Sequence, residues 1–250
     1  MLTILIAAIA PALILMWYVY HKDTQPEPTR LVAKGFIYGG IAVFASTLIS
    51  GPLMMMGFFT SNPTTILECI KVSFFGAAIP EECAKLLMLW LLLRNCPEFD
   101  ERYDGIVYGA AVGLGFATFE NLMYLLSAGM DWLSVSISRG LFAVPGHFAF
   151  AVVMGYYYSL NHFYGEDAPA GTKIKMILFP VLLHGTYDTL VFVANLTPIY
   201  SAILTLVLLA FCFVLFKRTR ARILAEADDN DIRGKILRDS APEDSAPDEQ

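Results

Sequence analysis

Val72-Ser-Phe-Phe-Gly-Ala-Ala-Ile-Pro-Glu-Glu-Cys-Ala-Lys-Leu-Leu-Met-Leu-Trp-Leu-Leu-Leu93 is the stretch that decides how this chain is read. It is long enough to cross a bilayer, which takes about 20 apolar residues. Yet its middle holds two adjacent carboxylates, Glu81 and Glu82, and one ammonium, Lys85. A charge at the centre of a span costs roughly 2.5–3.5 kcal/mol on insertion scales. Two neighbouring carboxylates cost more, because each disfavours ionisation of the other. Ionisable groups at that depth serve chemistry or transport far more often than packing.

The rest of the chain agrees with a membrane location. It is 56% apolar and only 16% charged, with a mean hydropathy of +0.57, against about 45–50% and about 25% in soluble domains. Apolar spans near 2–20, 36–59, 72–93, 104–126, 132–160, 175–196 and 198–216 predict an all-α, polytopic transmembrane helical bundle of about seven spans. Residues 1–222 are expected to form the transmembrane domain. Residues 223–250 are expected to form an acidic cytoplasmic tail, helical to about Ala227 and disordered beyond it. From Glu226 onward the chain carries nine acidic residues and three basic ones, which accounts for the net charge of −6. No basic stripe points to nucleic acid.

Lys and Arg fix an expected orientation. Lys22, Arg30, Lys34, Arg94, Arg102, Lys173, Lys175, Lys217, Arg218, Arg220 and Arg222 flank every second connection, whereas 60–64, 127–131 and 197–198 carry none. The positive-inside rule then places the amino terminus outside and the carboxyl terminus in the cytoplasm. Cys69, Cys83, Cys96 and Cys212 form no CxxC pair and read as free packing thiols. Gly105, Gly109 and Gly113 form a ridge suited to close helix packing in lipid.

The remaining ionisable residues inside spans are Glu120, Arg139, His147, His184 and Asp188, with Asn121 beside Glu120. Counted from the cytoplasmic ends of their spans, Glu82, Glu120, His147, His184 and Asp188 lie at depths of roughly 14–24 Å at 1.5 Å per residue. They share one layer near the middle of a core about 30 Å thick. Independent packing accidents would not agree in depth. Lys85 can reach Glu81 (i,i+4) and Glu82 (i,i+3), and His184 and Asp188 share a helix face. Pro80 suits the first position of a new helix, which would put both glutamates at a positive dipole end. Taken singly, each group has a plainer explanation. Lys85 could only neutralise a glutamate, Arg139 could snorkel to an interface, His147 could be a satisfied buried imidazole, and Glu120 could make one packing hydrogen bond.

Together the motifs are Glu81-Glu82-x-x-Lys85, Phe116-x-x-x-Glu120-Asn121, Arg139 with Pro145-x-His147, and His184-Gly-x-Tyr187-Asp188. In this order they resemble the PrsW family of bacterial intramembrane proteases, itself distantly similar to the CAAX prenyl endopeptidases. The resemblance covers roughly residues 80–190. It implies a multi-pass protease of the bacterial cell membrane. It also implies a lipid environment, a single-pass membrane protein such as an anti-sigma factor as substrate, and cleavage on the outer side that starts regulated intramembrane proteolysis in a stress response. Glu81, Glu82, Glu120, His184 and Asp188 are the functional residues it implies. Lys85, Asn121, Arg139 and His147 are supporting candidates.

Two mechanisms stay open at this level. In one, Glu81 or Glu82 deprotonates water while His184, oriented by Asp188, and Asn121 hold the oxyanion. In the other, a divalent metal such as zinc sits on ligands drawn from His184, Glu120, His147 and Asp188, and a glutamate acts as base. The rival functions are a proton-coupled transporter and a non-proteolytic scaffold or immunity protein. The single layer of ionisable groups favours a reaction centre over a proton ladder.

Overall fold

The computed structural model describes residues 1–196 and 198–239, with side chains for all of these except 198–200 and 231–239. The described chain is helical throughout: α1 (Leu2–Tyr20), α2 (Thr29–Met55), α3 (Ile66–Lys71), α4 (Ile79–Leu93), α5 (Arg102–Ser127), α6 (Trp132–Ser138), α7 (Val144–Tyr164), α8 (Thr172–Leu196) and α9 (Pro198–Asp239). Among the described residues, six helical stretches are long and apolar enough to cross a membrane. The seventh expected span is the rod from Ile66 to Leu93, divided by a π-helical segment between α3 and α4.

That segment, Val72–Ala78, and a second one, Arg139–Ala143 between α6 and α7, have one cause. Each runs into a proline near the start of the next helix, Pro80 or Pro145. Proline has no N–H to give the carbonyl four residues back, and its ring crowds that carbonyl. The chain widens instead of breaking: Ile79 N–H donates to Phe74 O and Val144 N–H to Arg139 O, each five residues back. The expectation that a helix begins afresh at Pro80 is therefore corrected, because helical conformation continues through Ala78 and Ile79. At the amino-terminal end of the rod, Thr65 and Glu68 form a capping box. Thr64 and Thr65 N–H groups donate to the Glu68 carboxyl at 2.7 and 3.2 Å.

Helix α5 is the axis of the bundle, and residues Tyr103 to Thr118 are buried without interruption. Its glycine ridge faces α7. A methyl built on Gly113 would lie 2.3 Å from Ala151 Cβ and 3.0 Å from His147 O, so only glycine lets the two helices meet there. On its other side, α2 approaches through Gly39, whose added Cβ would fall 2.0 Å from Val112 O. Helices α4 and α8 complete the inner set. The outer faces of α1, α2 and α9 expose Ile14, Leu48, Leu206 and Phe213, as expected of lipid-facing surface.

The last helix runs on past the final expected span, through the helical extension expected to about Ala227 and beyond it. Helix α9 passes Arg222 and continues to Asp239, with Ile223, Glu226, Ala227 and Asn230 buried. Ile223 and Ala227 join Val19, Tyr103, Ile106 and Val107 in one apolar cluster. Arg102 binds Glu226, reaches Asp229 Oδ2 at 3.1 Å and Tyr164 Oη at 3.1 Å, and Asn230 donates to Glu101. The acidic composition hid the apolar stripe that docks this segment. Residues 240–250 of the expected tail lie outside the described residues.

Candidate active site

Four helices deliver the polar residues to one place. Helix α4 brings Glu81, Glu82 and Lys85 in its first turns, and α5 brings Glu120 and Asn121 near its end. The second π segment and α7 bring Arg139 and His147, and α8 brings His184 and Asp188 four and eight residues after Pro180.

Lys85 is the hub. Its Nζ lies 2.7 Å from Glu82 Oε1, 3.7 Å from Glu81 Oε2 and 3.0 Å from His147 Nδ1, with the Phe116 ring beneath it at 4.1 Å. An ammonium can only donate, so His147 Nδ1 accepts. The imidazole proton is then on Nε2, which donates to Glu120 Oε2 at 2.9 Å. Glu120 also takes Arg139 Nη2 at 2.6 Å, and Arg139 Nε donates to Asn121 Oδ1 at 3.1 Å. The guanidinium rests on the Tyr124 ring at 3.9 Å. Arg139 therefore faces inward rather than toward an interface. Asn121 is buried and engaged twice, with Oδ1 accepting from Arg139 and one Nδ2 hydrogen donated to Ala8 O at 3.4 Å.

His184 stands between carboxylates. Its Nδ1 is 2.8 Å from Glu82 Oε1, and its Nε2 is 3.3 Å from Asp188 Oδ2 and 3.9 Å from Glu81 Oε2. Phe150 stacks on the ring at 5.1 Å, and His147 meets it edge-on at 5.1 Å. Both ring nitrogens thus have a fixed direction.

The two glutamates, equivalent in sequence, are not equivalent in space. Glu82 has no solvent exposure and lies behind Lys85 and His184. Glu81 lines a cavity of about 690 Å3 together with Glu120, Arg139, His147, His184 and Asp188. The same cavity is bordered by Phe59 and Ser61 of the α2–α3 connection. That connection carries no Lys or Arg and belongs to the side expected to face outward.

Glu81, His147 and His184 each offer a ligand atom within 4.8 Å of the other two, and Glu81 Oε2 and Glu82 Oε2 are buried with no hydrogen-bond partner. Two imidazoles and a carboxylate beside an open cavity make a donor set suited to a catalytic divalent metal with one position left for water. Of the expected ligands, His147 and His184 belong to this group, while Glu120 Oε2 meets Arg139 and His147, and Asp188 Oδ2 lies 3.3 Å from His184 Nε2.

The family model described as "PrsW family intramembrane metalloprotease" matches residues 27–216. This chain belongs to the PrsW family. Its relatives include Protease PrsW of Geobacillus kaustophilus, 33% identical over 209 residues, covering 83% of this chain and 88% of the relative. Protease PrsW of Bacillus subtilis is 35% identical over 189 residues, covering 75% and 82%. Protease PrsW of Clostridioides difficile is 36% identical over 190 residues, covering 75% and 78%. No solved structure matches the chain. As a PrsW-family member the chain is a peptidase and a multi-pass bacterial membrane protein, which answers the transport and scaffold alternatives. The PrsW site also contains residues that the motifs did not single out. Tyr124 and Phe150 stand at i+4 from Glu120 and i+3 from His147, and helical periodicity could have found both.

Proposed function

We propose that this protein is an intramembrane endopeptidase that cleaves a single-pass membrane protein, of the anti-sigma-factor type, in the outer half of the bilayer. Glu81 is the group that activates water. The observation that carries this reading is that Glu81 lines the cavity together with His184 and Asp188, while its neighbour Glu82 is walled off behind them. Support for the outer side comes from the cavity border at Phe59 and Ser61, in the connection without basic residues.

Glu81, His147 and His184 would hold a divalent metal such as zinc. When bound, the metal would supply a water of lowered pKa and polarise the scissile carbonyl. A carboxylate has two oxygens, so Glu81 can serve a cation with one and take a proton with the other. In the hydrolysis, Glu81 accepts a proton from water as the water oxygen bonds to the peptide carbon. The C–N bond then breaks and that proton passes to the leaving nitrogen. Arg139, whose guanidinium borders the same cavity, supplies positive charge to the tetrahedral intermediate's oxygen. Glu82 holds His184 by Nδ1 at 2.8 Å, so Nε2, which faces Glu81 and Asp188, is the nitrogen that would take the metal. Lys85 offsets the charge of Glu82, and Glu120 holds the Nε2 proton of His147, so His147 would bind the metal through Nδ1 in place of the hydrogen bond from Lys85.

The test is cleavage of a single-pass substrate by the purified protein in liposomes, with the cut mapped by mass spectrometry. A cut in the outer third of the substrate span, absent with Glu81→Gln, is the expected result. A cut on the Lys- and Arg-rich side would overturn the placement. Undiminished cleavage by Glu81→Gln would overturn the role of Glu81.

A further inference from the structure

A second group of carboxylates lies at the opposite end of the bundle, on the side rich in Lys and Arg. Asp23 and Glu27 come from the α1–α2 connection and Asp104 from the first turn of α5. All three are more than nine-tenths buried, with relative exposures of 8%, 4% and 1%. Each offers an oxygen within 4.8 Å of the other two.

Their hydrogen bonds hold the cluster rigid and leave part of it unsatisfied. Asp23 Oδ1 accepts the Gln25 N–H at 3.0 Å, and Asp23 Oδ2 has no partner. Asp104 Oδ2 accepts the N–H groups of Asp100 at 2.9 Å and Glu101 at 2.7 Å, and Asp104 Oδ1 has no partner. Glu27 Oε2 accepts from Tyr108 Oη, and the Glu27 carbonyl accepts Tyr20 Oη at 2.7 Å. Among the described residues no Lys, Arg or His pairs with any of the three. The nearby Arg30 is committed to Glu98, and Arg102 to Glu226 and Asp229. Buried carboxylates with neither counter-charge nor full hydrogen bonding are costly, and proteins meet that cost by pairing them or binding metal.

We propose that Asp23, Glu27 and Asp104 form a binding site for one hard divalent cation, of the Ca2+ or Mg2+ class, that ties the α1–α2 connection to the start of α5. The donor set contains only oxygen, which suits such cations and disfavours zinc or copper. The nitrogen-bearing centre around His147 and His184 has the opposite preference. The two sites are therefore chemically separable. The cation site also stands beside the docked end of α9, because Asn230 donates to Glu101, whose N–H caps onto Asp104. Filling it would stiffen the surface on which α9 rests.

The experiment uses the full chain in detergent micelles, stripped with a chelator and titrated with Ca2+ alone and Mg2+ alone. Equilibrium dialysis reads binding and a melting curve reads stability. One equivalent of Ca2+ or Mg2+ taken up by wild type, with a raised melting temperature, is expected. The same equivalent should persist in His184→Ala and disappear in Asp23→Asn/Asp104→Asn. Should that double variant fail to fold, Glu27→Gln alone, which keeps an acceptor for Tyr108, should weaken binding at least tenfold. Uptake of neither cation by wild type would overturn the proposal and mean that protons neutralise the cluster. Undiminished uptake in the folded variants would place the cation elsewhere and overturn it as well.

Discussion

Glu81 and Glu82 differ by one peptide unit, and the fold separates them by environment. Glu82 holds Lys85 at 2.7 Å and His184 at 2.8 Å in a dry interior, while Glu81 meets the cavity. Glu81→Gln should lower cleavage by about 10²–10⁴-fold, the usual worth of a general base, with the melting temperature nearly unchanged. Glu82→Gln should lower cleavage and also destabilise, because breaking a buried ion pair typically costs about 3–5 kcal/mol. Cleavage and thermal denaturation measured on both variants decide the matter. Equal melting temperatures would contradict a bracing role for Glu82. The donor set makes a further prediction. A zinc-selective chelator should abolish cleavage in liposomes, and added zinc should restore it, more weakly in His147→Ala and His184→Ala. Chelator-resistant cleavage would remove the metal from the mechanism. At this scale the sequence was informative about membership but not about roles. Depth and helical spacing gathered Glu81, Glu82, Lys85, Glu120, His147, His184 and Asp188, whereas Asn121 and Arg139 entered only through the motifs. Nothing in the order Glu81-Glu82 says which carboxylate meets the cavity, and nothing in Asn121 shows that Arg139 and Ala8 O already occupy it.

At the scale of elements, proline and glycine place the chemistry. Pro80 and Pro145 each follow a π turn, one just ahead of Glu81 and the other just ahead of His147. Pro145→Ala restores an N–H that an ordinary α register can use. A one-residue change of register rotates a helix face by about 100°, so Arg139 would lose its alignment with Glu120 and Asn121. The expected result is a folded protein with cleavage reduced at least tenfold; full activity would show that the π turn is held by packing instead. Gly113→Ala should act through stability, since the added methyl would meet Ala151 Cβ at 2.3 Å. Overpacking of this kind costs about 1–3 kcal/mol, and a melting curve reads it. The glycine ridge was legible as a spacing. The π turns were not, because a hydrophobic pattern reports which face is buried and not the hydrogen-bond register beneath it.

The whole molecule couples the two ends of the chain. The spans could be counted from hydropathy, but the last segment could not, because its docking stripe is two apolar residues, Ile223 and Ala227, among many acidic ones. Those two sit against α1 and α5, while Glu226 and Asp229 hold Arg102 at the start of the axial helix. A chain ending at residue 239 keeps every one of these contacts and should melt with the full-length protein. A chain ending at residue 221 loses them all. Burying a side chain such as Ile223 contributes roughly 1.5–3 kcal/mol, and the lost partners leave Arg102 half-buried with only Tyr164 Oη among its described hydrogen-bond partners. The shorter chain should therefore melt several degrees lower. Its cleavage should fall less than its stability, because the catalytic layer lies at the other end of α5, beyond the rigid packing of Tyr103 to Thr118. If both truncations melt alike, the docked α9 segment adds nothing to the fold. If the shorter chain melts normally but cannot cleave, the segment acts on the site through α5, and the carboxyl-terminal end of this protease would be a handle on its activity.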